Sequence, residues 1–157
     1  GVNSGGGNVS GNNNTFLGYN TTSSNNWSNS TAIGSGAVIT SNNQIVIGTE
    51  DEDISIPGRV AAASYNTTSD YRIKTNITPL NQCSFSIDTL NPVFYHNKIT
   101  NKNDIGLIAH EVQDKIPFLV NGIKDGDINQ SVNYTGLIGL LIHEIQELKQ
   151  RLARLEG

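Results

Sequence analysis

One short stretch of this chain carries residue types that can do covalent chemistry. It reads Ser69-Asp70-Tyr71-Arg72-Ile73-Lys74. A serine hydroxyl is a poor nucleophile until a base takes its proton. A lysine amine can be that base once burial or a neighbouring cation lowers its pKa toward neutrality. Arg72, two residues from Lys74, is such a cation. Serine–lysine pairs are a recurring form of the nucleophile–base arrangement. Serine and lysine five residues apart are common, however, and on spacing alone the alternative is a solvent-exposed polar loop.

The other reactive groups form no set. His96, His110 and His143 are scattered, with no second His, Cys or carboxylate at ligand spacing, so no metal site is expected. Cys83 is the single cysteine and is expected as a small apolar core residue. Glu50-Asp51-Glu52-Asp53 has the oxygen chemistry of a Ca²⁺ site but reads better as a solvated turn. Gly5-Gly6-Gly7 lacks the lysine and the following helix of a phosphate loop, and no cofactor is expected.

The elements that must position Ser69 and Lys74 come from a chain of two textures. Of 157 residues, 10 are Lys or Arg and 14 are Asp or Glu, a net charge of −4. All 24 charges lie from Glu50 onward. That balance excludes a basic nucleic-acid binder, and the lack of basic residues before Glu50 argues against an adjoining DNA-binding element. No apolar run approaches the ~20 residues of a membrane span. The first fifty residues hold 11 Asn, 9 Gly, 8 Ser and 6 Thr. Such a composition ordinarily means disorder, but here it has a period. Apolar bursts end on Gly18, Gly34 and Gly48, which are 16 and 14 residues apart. Short strands, glycine corners and polar loops are expected, either stacked as coils of one chain or wound from three chains. Ile54–Val60 reads as a strand broken by Pro57-Gly58. The chain opens on Gly1 without an initiator Met or a leader, and is expected to be a piece of something longer.

The segment 69–136 reads as a small α+β module. Strands are expected at 91–95, 104–109 and 118–120, and helical turns at 111–116 stopped by Pro117. From Ile138 the apolar spacing is 3, 4, 3, 4, 3, placing Ile138, Ile145 and Leu152 at a and Leu141, Leu148 and Leu155 at d of a heptad seam. Glu144 at g faces Lys149 at e of a neighbouring chain, and Arg151 faces Glu156. Leu137 to Leu141 can instead lie on the chain's own module. Ile at a with Leu at d favours two strands, whereas the fibre-like N-terminal half points to three. The expected division is a β-repeat stem and connector over 1–68, an α+β module over 69–136 and a coiled-coil helix over 137–157.

Two resemblances bear on this division. Asn29–Ala37 followed by Asn43–Gly48 resembles the strand repeats of trimeric fibre proteins, found in viral tail fibres and adhesin heads. Ser69–Ile77, Ile105–Val112, Pro117–Val120 and Val132–Tyr134, followed by the terminal coil, resemble the intramolecular chaperone or peptidase S74 domain of phage endosialidases and tail spikes, which also occurs in myelin regulatory factor.

That resemblance implies a domain that trimerises the fibre before it and then cuts itself off. It implies Ser69 as nucleophile and Lys74 as base, with Asp70, Arg72 and Glu111 in support. His110 and Asn133 depart from the family, which commonly has Gln and an acidic residue there. The scissile bond adjoins Ser69. Within one chain Thr68–Ser69 is the easier, because attack on the preceding carbonyl closes a five-membered ring. The implied partners are two further copies, the fibre segment and a candidate host-surface receptor, in a virion, with the chaperone part shed in the host cytoplasm. The alternative is a trimeric fibre tip or receptor-binding cap that never cuts.

Overall fold

Asparagine is abundant at the start of the chain because corners need it. In the computed structural model, which describes residues 1–157, Asn3, Asn13, Asn20, Asn29 and Asn43 all have φ between 50° and 58°. Among residues with a side chain, Asn tolerates this left-handed conformation best. Its amide also binds the neighbouring coil. Asn13 Nδ2 donates to Asn29 Oδ1 at 3.1 Å, and Asn3 Nδ2 to Asn20 Oδ1 at 3.1 Å. The Asn14 and Asn42 side chains accept from the backbone N–H groups of Ser30 and Ser28.

Between these corners run β1 (Thr15–Leu17), β2 (Thr22–Ser23), β3 (Thr31–Ile33), β4 (Val38–Ile39) and β5 (Ile45–Ile47). They pair in parallel, β1 with β3 with β5 and β2 with β4, aligning Phe16, Ala32 and Val46 in one row and Leu17, Ile33 and Ile47 in the next. The strands are therefore coils of one chain stacked on each other. The first row points inward with Ala37 and Ile39, closed by Trp27. Thr21, Ser23 and Ser30 are buried with them and hydrogen-bonded. A β-carbon on Gly18 would collide with the Gly34 carbonyl, so the corner ladder requires glycine.

Residues 54–60 form no strand. They are exposed and unpaired, so alternation alone had no ladder to join. The chain divides into two compact units, Gly1–Thr67 and Thr68–Gly157.

In the second unit β6 (Val93–Asn97) and β7 (Lys102–Gly106) form an antiparallel hairpin with Phe94 opposite Ile105. The strand expected to run to Ala109 stops at Gly106, because the next donor, Leu107 N, turns to the Tyr134 hydroxyl at 2.8 Å. Ala109 instead opens α1 (Ala109–Gln113). Pro117 starts a 3-10 turn over Pro117–Leu119, so the strand expected at 118–120 shortens to β8 (Val120–Asn121), paired with β9 (Ser131–Val132). The last element is α2 (Gly136–Glu156). Val112, Ile116, Leu119, Val120, Leu137 and Leu140 make the core. Cys83 is only half-buried and stands outside that cluster. The whole is a mixed α/β chain with small sheets and a C-terminal helix, none of it long and apolar enough to cross a membrane.

Two faces of α2 have different fates. Leu137 and Leu140 are 8% and 5% exposed, whereas Ile138, Leu141, Ile145, Leu148, Leu152 and Leu155 are between 43% and 84% exposed. Glu144, expected to reach across to another chain, is used within its own. Its Oε1 accepts from Ser86 Oγ at 2.8 Å and from Ile87 N at 3.3 Å.

Candidate functional site

The backbone around Ser69 is built so that its neighbours five residues apart can meet. Asp70 is extended and its carboxylate caps a single 3-10 turn, Tyr71–Ile73, by accepting from Arg72 N at 2.8 Å. Within the turn, Ile73 N donates to Asp70 O at 3.3 Å and Lys74 N to Tyr71 O at 3.1 Å. Lys74 then leaves in extended conformation. Two extended arms on one tight turn fold the flanking side chains toward each other. Lys74 Nζ donates to Ser69 Oγ at 2.6 Å.

The turn is clamped from outside. Arg72 Nε donates to Asp70 Oδ1 at 2.9 Å, and its second nitrogen to Oδ2 at 2.8 Å, a two-point fork. The Arg72 bond and the Arg72 N–H hold the Asp70 carboxyl below the usual carboxylate range, and Asp70 raises the guanidinium in return. The cation expected to bear on Lys74 is thus committed to Asp70. Ser69, Lys74 and Thr68 are all exposed.

Glu111 lies in the first turn of α1, exposed, and no hydrogen bond or ion pair joins it to the Ser69 turn. The structure brings Ser69, Asp70, Arg72 and Lys74 together and leaves Glu111 outside that set.

Sequence reasoning missed a second cluster. Tyr134 Oη accepts from Leu107 N, and a β-carbon on Gly106 would stand 2.6 Å from that oxygen. Tyr95 packs at the same place, where burial, then the Asp104 charge and Tyr134, push its phenol upward. Gly106 and Tyr134 were each visible as parts of separate motifs. Nothing in the sequence pairs them.

The chain's residues 69–121 match the family model of peptidase S74, described as chaperone of endosialidase. Residues 69–121 are a chaperone-of-endosialidase domain. The match begins at Ser69, the serine that receives the Lys74 hydrogen bond. It takes in the β6–β7 hairpin, α1 and β8, and ends before β9 and α2. No curated protein matches the chain. An intramolecular chaperone role for the peptidase S74 part follows from the family.

Proposed function

We propose that this chain is the C-terminal end of a trimeric viral tail fibre or spike, and that its peptidase S74 part assembles the fibre and then removes itself. Three low-complexity stems must align before they associate, because a one-residue slip turns every strand's side chains to the wrong face. The unpartnered heptad seam of α2 supports a helix that joins three copies first and raises the local concentration of the stems. Cleavage then separates the stem from its nucleator, so that the fibre is trapped kinetically.

The hydrogen bond between Lys74 Nζ and Ser69 Oγ is the observation that carries the cleavage reading. Lys74, once neutral, takes the Ser69 hydroxyl proton as Oγ attacks the Thr68 carbonyl carbon. The Thr68–Ser69 C–N bond breaks, the proton passes to the leaving Ser69 nitrogen, and an ester joins the Thr68 acyl group to Ser69 Oγ. Water hydrolyses that ester, leaving a carboxylate on Thr68 and a free amine and hydroxyl on Ser69. Asp70 and Arg72 hold the turn. Glu111, at the start of α1, supports the hairpin side of the module, where a carboxylate suits a helix N-terminus. The chaperone part is released in the host cytoplasm and the stem stays in the virion.

A second reading, a trimeric fibre tip or receptor-binding cap that never cuts, draws on the exposure of both Ser69 and Lys74. Intact mass and size measurement of the fresh protein beside Ser69→Ala decides between them. Splitting of the parent at Ser69, with the variant whole, supports self-cleavage and fixes the bond. Two intact trimers leave the cap.

A further inference from the structure

Ser69 and Lys74 already touch within one chain, so their meeting is not what withholds the reaction. What the single chain lacks is any means of making Lys74 a base. An amine in water keeps its proton far above neutral pH, and Lys74 is exposed. The charges around it do not help. Asp70 lies within electrostatic reach of Lys74, and a carboxylate there favours the ammonium. Arg72, which would disfavour it, is spent on Asp70. No group of any other element forms an ion pair with Lys74.

The same turn presents an apolar surface to solvent. Tyr71 is 77% exposed, Ile73 64% and Ile77 73%, three large side chains interleaved with and following the reactive pair. Exposed apolar clusters mark surfaces that another body covers. The occupant nearest to hand is another copy of the chain. The turn belongs to the same compact unit as the α2 seam, and copies joined at that seam hold each other's turns at high effective concentration. We propose that a second copy of this chain, covering Tyr71, Ile73 and Ile77, takes Lys74 out of water, and that this burial, rather than the meeting of Ser69 and Lys74, starts cleavage. The proposal rests on the self-cleavage reading above and adds the switch that times it.

The test compares pH–rate profiles of self-cleavage in the full chain. One protein is the parent. The other carries Ile145→Asp and Leu148→Asp on the seam and is checked as folded by circular dichroism and as monomeric by light scattering. Adding Ser69→Ala to each gives the background. The monomer should cut at least about a hundredfold slower than the parent at pH 7 and gain about tenfold per pH unit toward the ordinary lysine value of about 10.4. The parent should reach its plateau at least about two pH units lower. Dilution of the parent below its association range should reproduce the monomer's profile without any substitution. A folded monomer that cuts at the parent's rate at pH 7, or one as inert at pH 10 as at pH 7, overturns the burial switch while leaving self-cleavage standing. A parent that never cuts at any pH removes both.

Discussion

The hydroxyl of Tyr134 occupies the space that any side chain on residue 106 would need, 2.6 Å from the position of a β-carbon there. The same oxygen accepts from Leu107 N, the donor at which β7 ends. The end of the hairpin, the start of α1 and the lead-in to α2 are thus fixed by one phenol. Gly106→Ala should cost about 1–3 kcal/mol by overpacking. Tyr134→Phe should cost about 0.5–1.5 kcal/mol, because Leu107 N is left without its acceptor. Because the phenylalanine removes the atom that clashes, the double variant should be more stable than the sum of the two losses requires. Urea unfolding of the four proteins measures that coupling, and strict additivity would show that the two positions do not share this space.

How much of this is readable from sequence depends on the range of the interaction. The bursts ending on Gly18, Gly34 and Gly48 became β1, β3 and β5, because a strand, a glycine corner and the next strand are local events. The heptad spacing of α2 is readable for the same reason. The strand expected over 104–109 failed at its end because Tyr134, 27 residues away, claims the Leu107 donor. The pattern at 54–60 failed because alternation says nothing about whether a partner strand exists. Glu144 points to a neighbouring chain on spacing alone, since position along a helix cannot reveal that Ser86, 58 residues earlier, waits on the other side. At the candidate site, Ser69 and Lys74 are legible as types at a spacing. That Arg72 would turn to Asp70 is not, because the spacing leaves Arg72 free to bear on Lys74 or to pair with Asp70.

The Asp70–Arg72 fork predicts a titration. Asp70 has its carboxyl lowered by Arg72, first through the side-chain bond and then through the backbone N–H. A lowered folded value means that the fork contributes stability above the unfolded aspartate value of about 3.9 and loses it as pH falls through the lower folded value. The turn should therefore be intact from neutral pH down to about 4. Carboxyl carbon NMR should place the Asp70 midpoint below that of an ordinary aspartate, and Arg72→Gln should move it upward. An unchanged midpoint would show the fork to be too screened by water to matter.

The two faces of α2 should separate folding from association. Leu140 is buried in the core of the second unit, so Leu140→Ala should cost about 2–5 kcal/mol and melt that unit. Leu148 stands in water in the single chain, so Leu148→Asp should leave the fold of the chain intact and abolish self-association. Light scattering reads the mass and far-ultraviolet circular dichroism reads the helix. Loss of fold in Leu148→Asp without loss of association would reverse the assignment of the faces.

The asparagine corners make a prediction about the first unit alone. Asn29 has φ 57° and accepts from Asn13 Nδ2. Asn29→Ala should cost about 1–2 kcal/mol for the left-handed backbone, and it also removes the acceptor of the Asn13 amide. Asn29→Gly removes the same acceptor but relieves the backbone, so it should be the milder change. Trp27, the only tryptophan, lies in this unit, and its fluorescence during unfolding reports on it. Equal losses for alanine and glycine would assign the cost to the amide ladder rather than to the corner.

Lys74→Arg separates a base from an anchor. Arginine keeps a positive charge at every accessible pH and can still donate to Ser69 Oγ, but it cannot take a proton. If Lys74 serves only to orient the hydroxyl, the arginine variant should retain much of the cleavage. If Lys74 is the base, the variant should lose at least about a hundredfold of the rate, at pH 10 as at pH 7. Lys74→Met should lose the reaction to the same degree and the Ser69 hydrogen bond with it. Both variants should associate as the parent does, because the seam residues on α2 are untouched. Intact mass against time at the two pH values reads the outcome, and substantial cleavage by the arginine variant would remove Lys74 from the role of base.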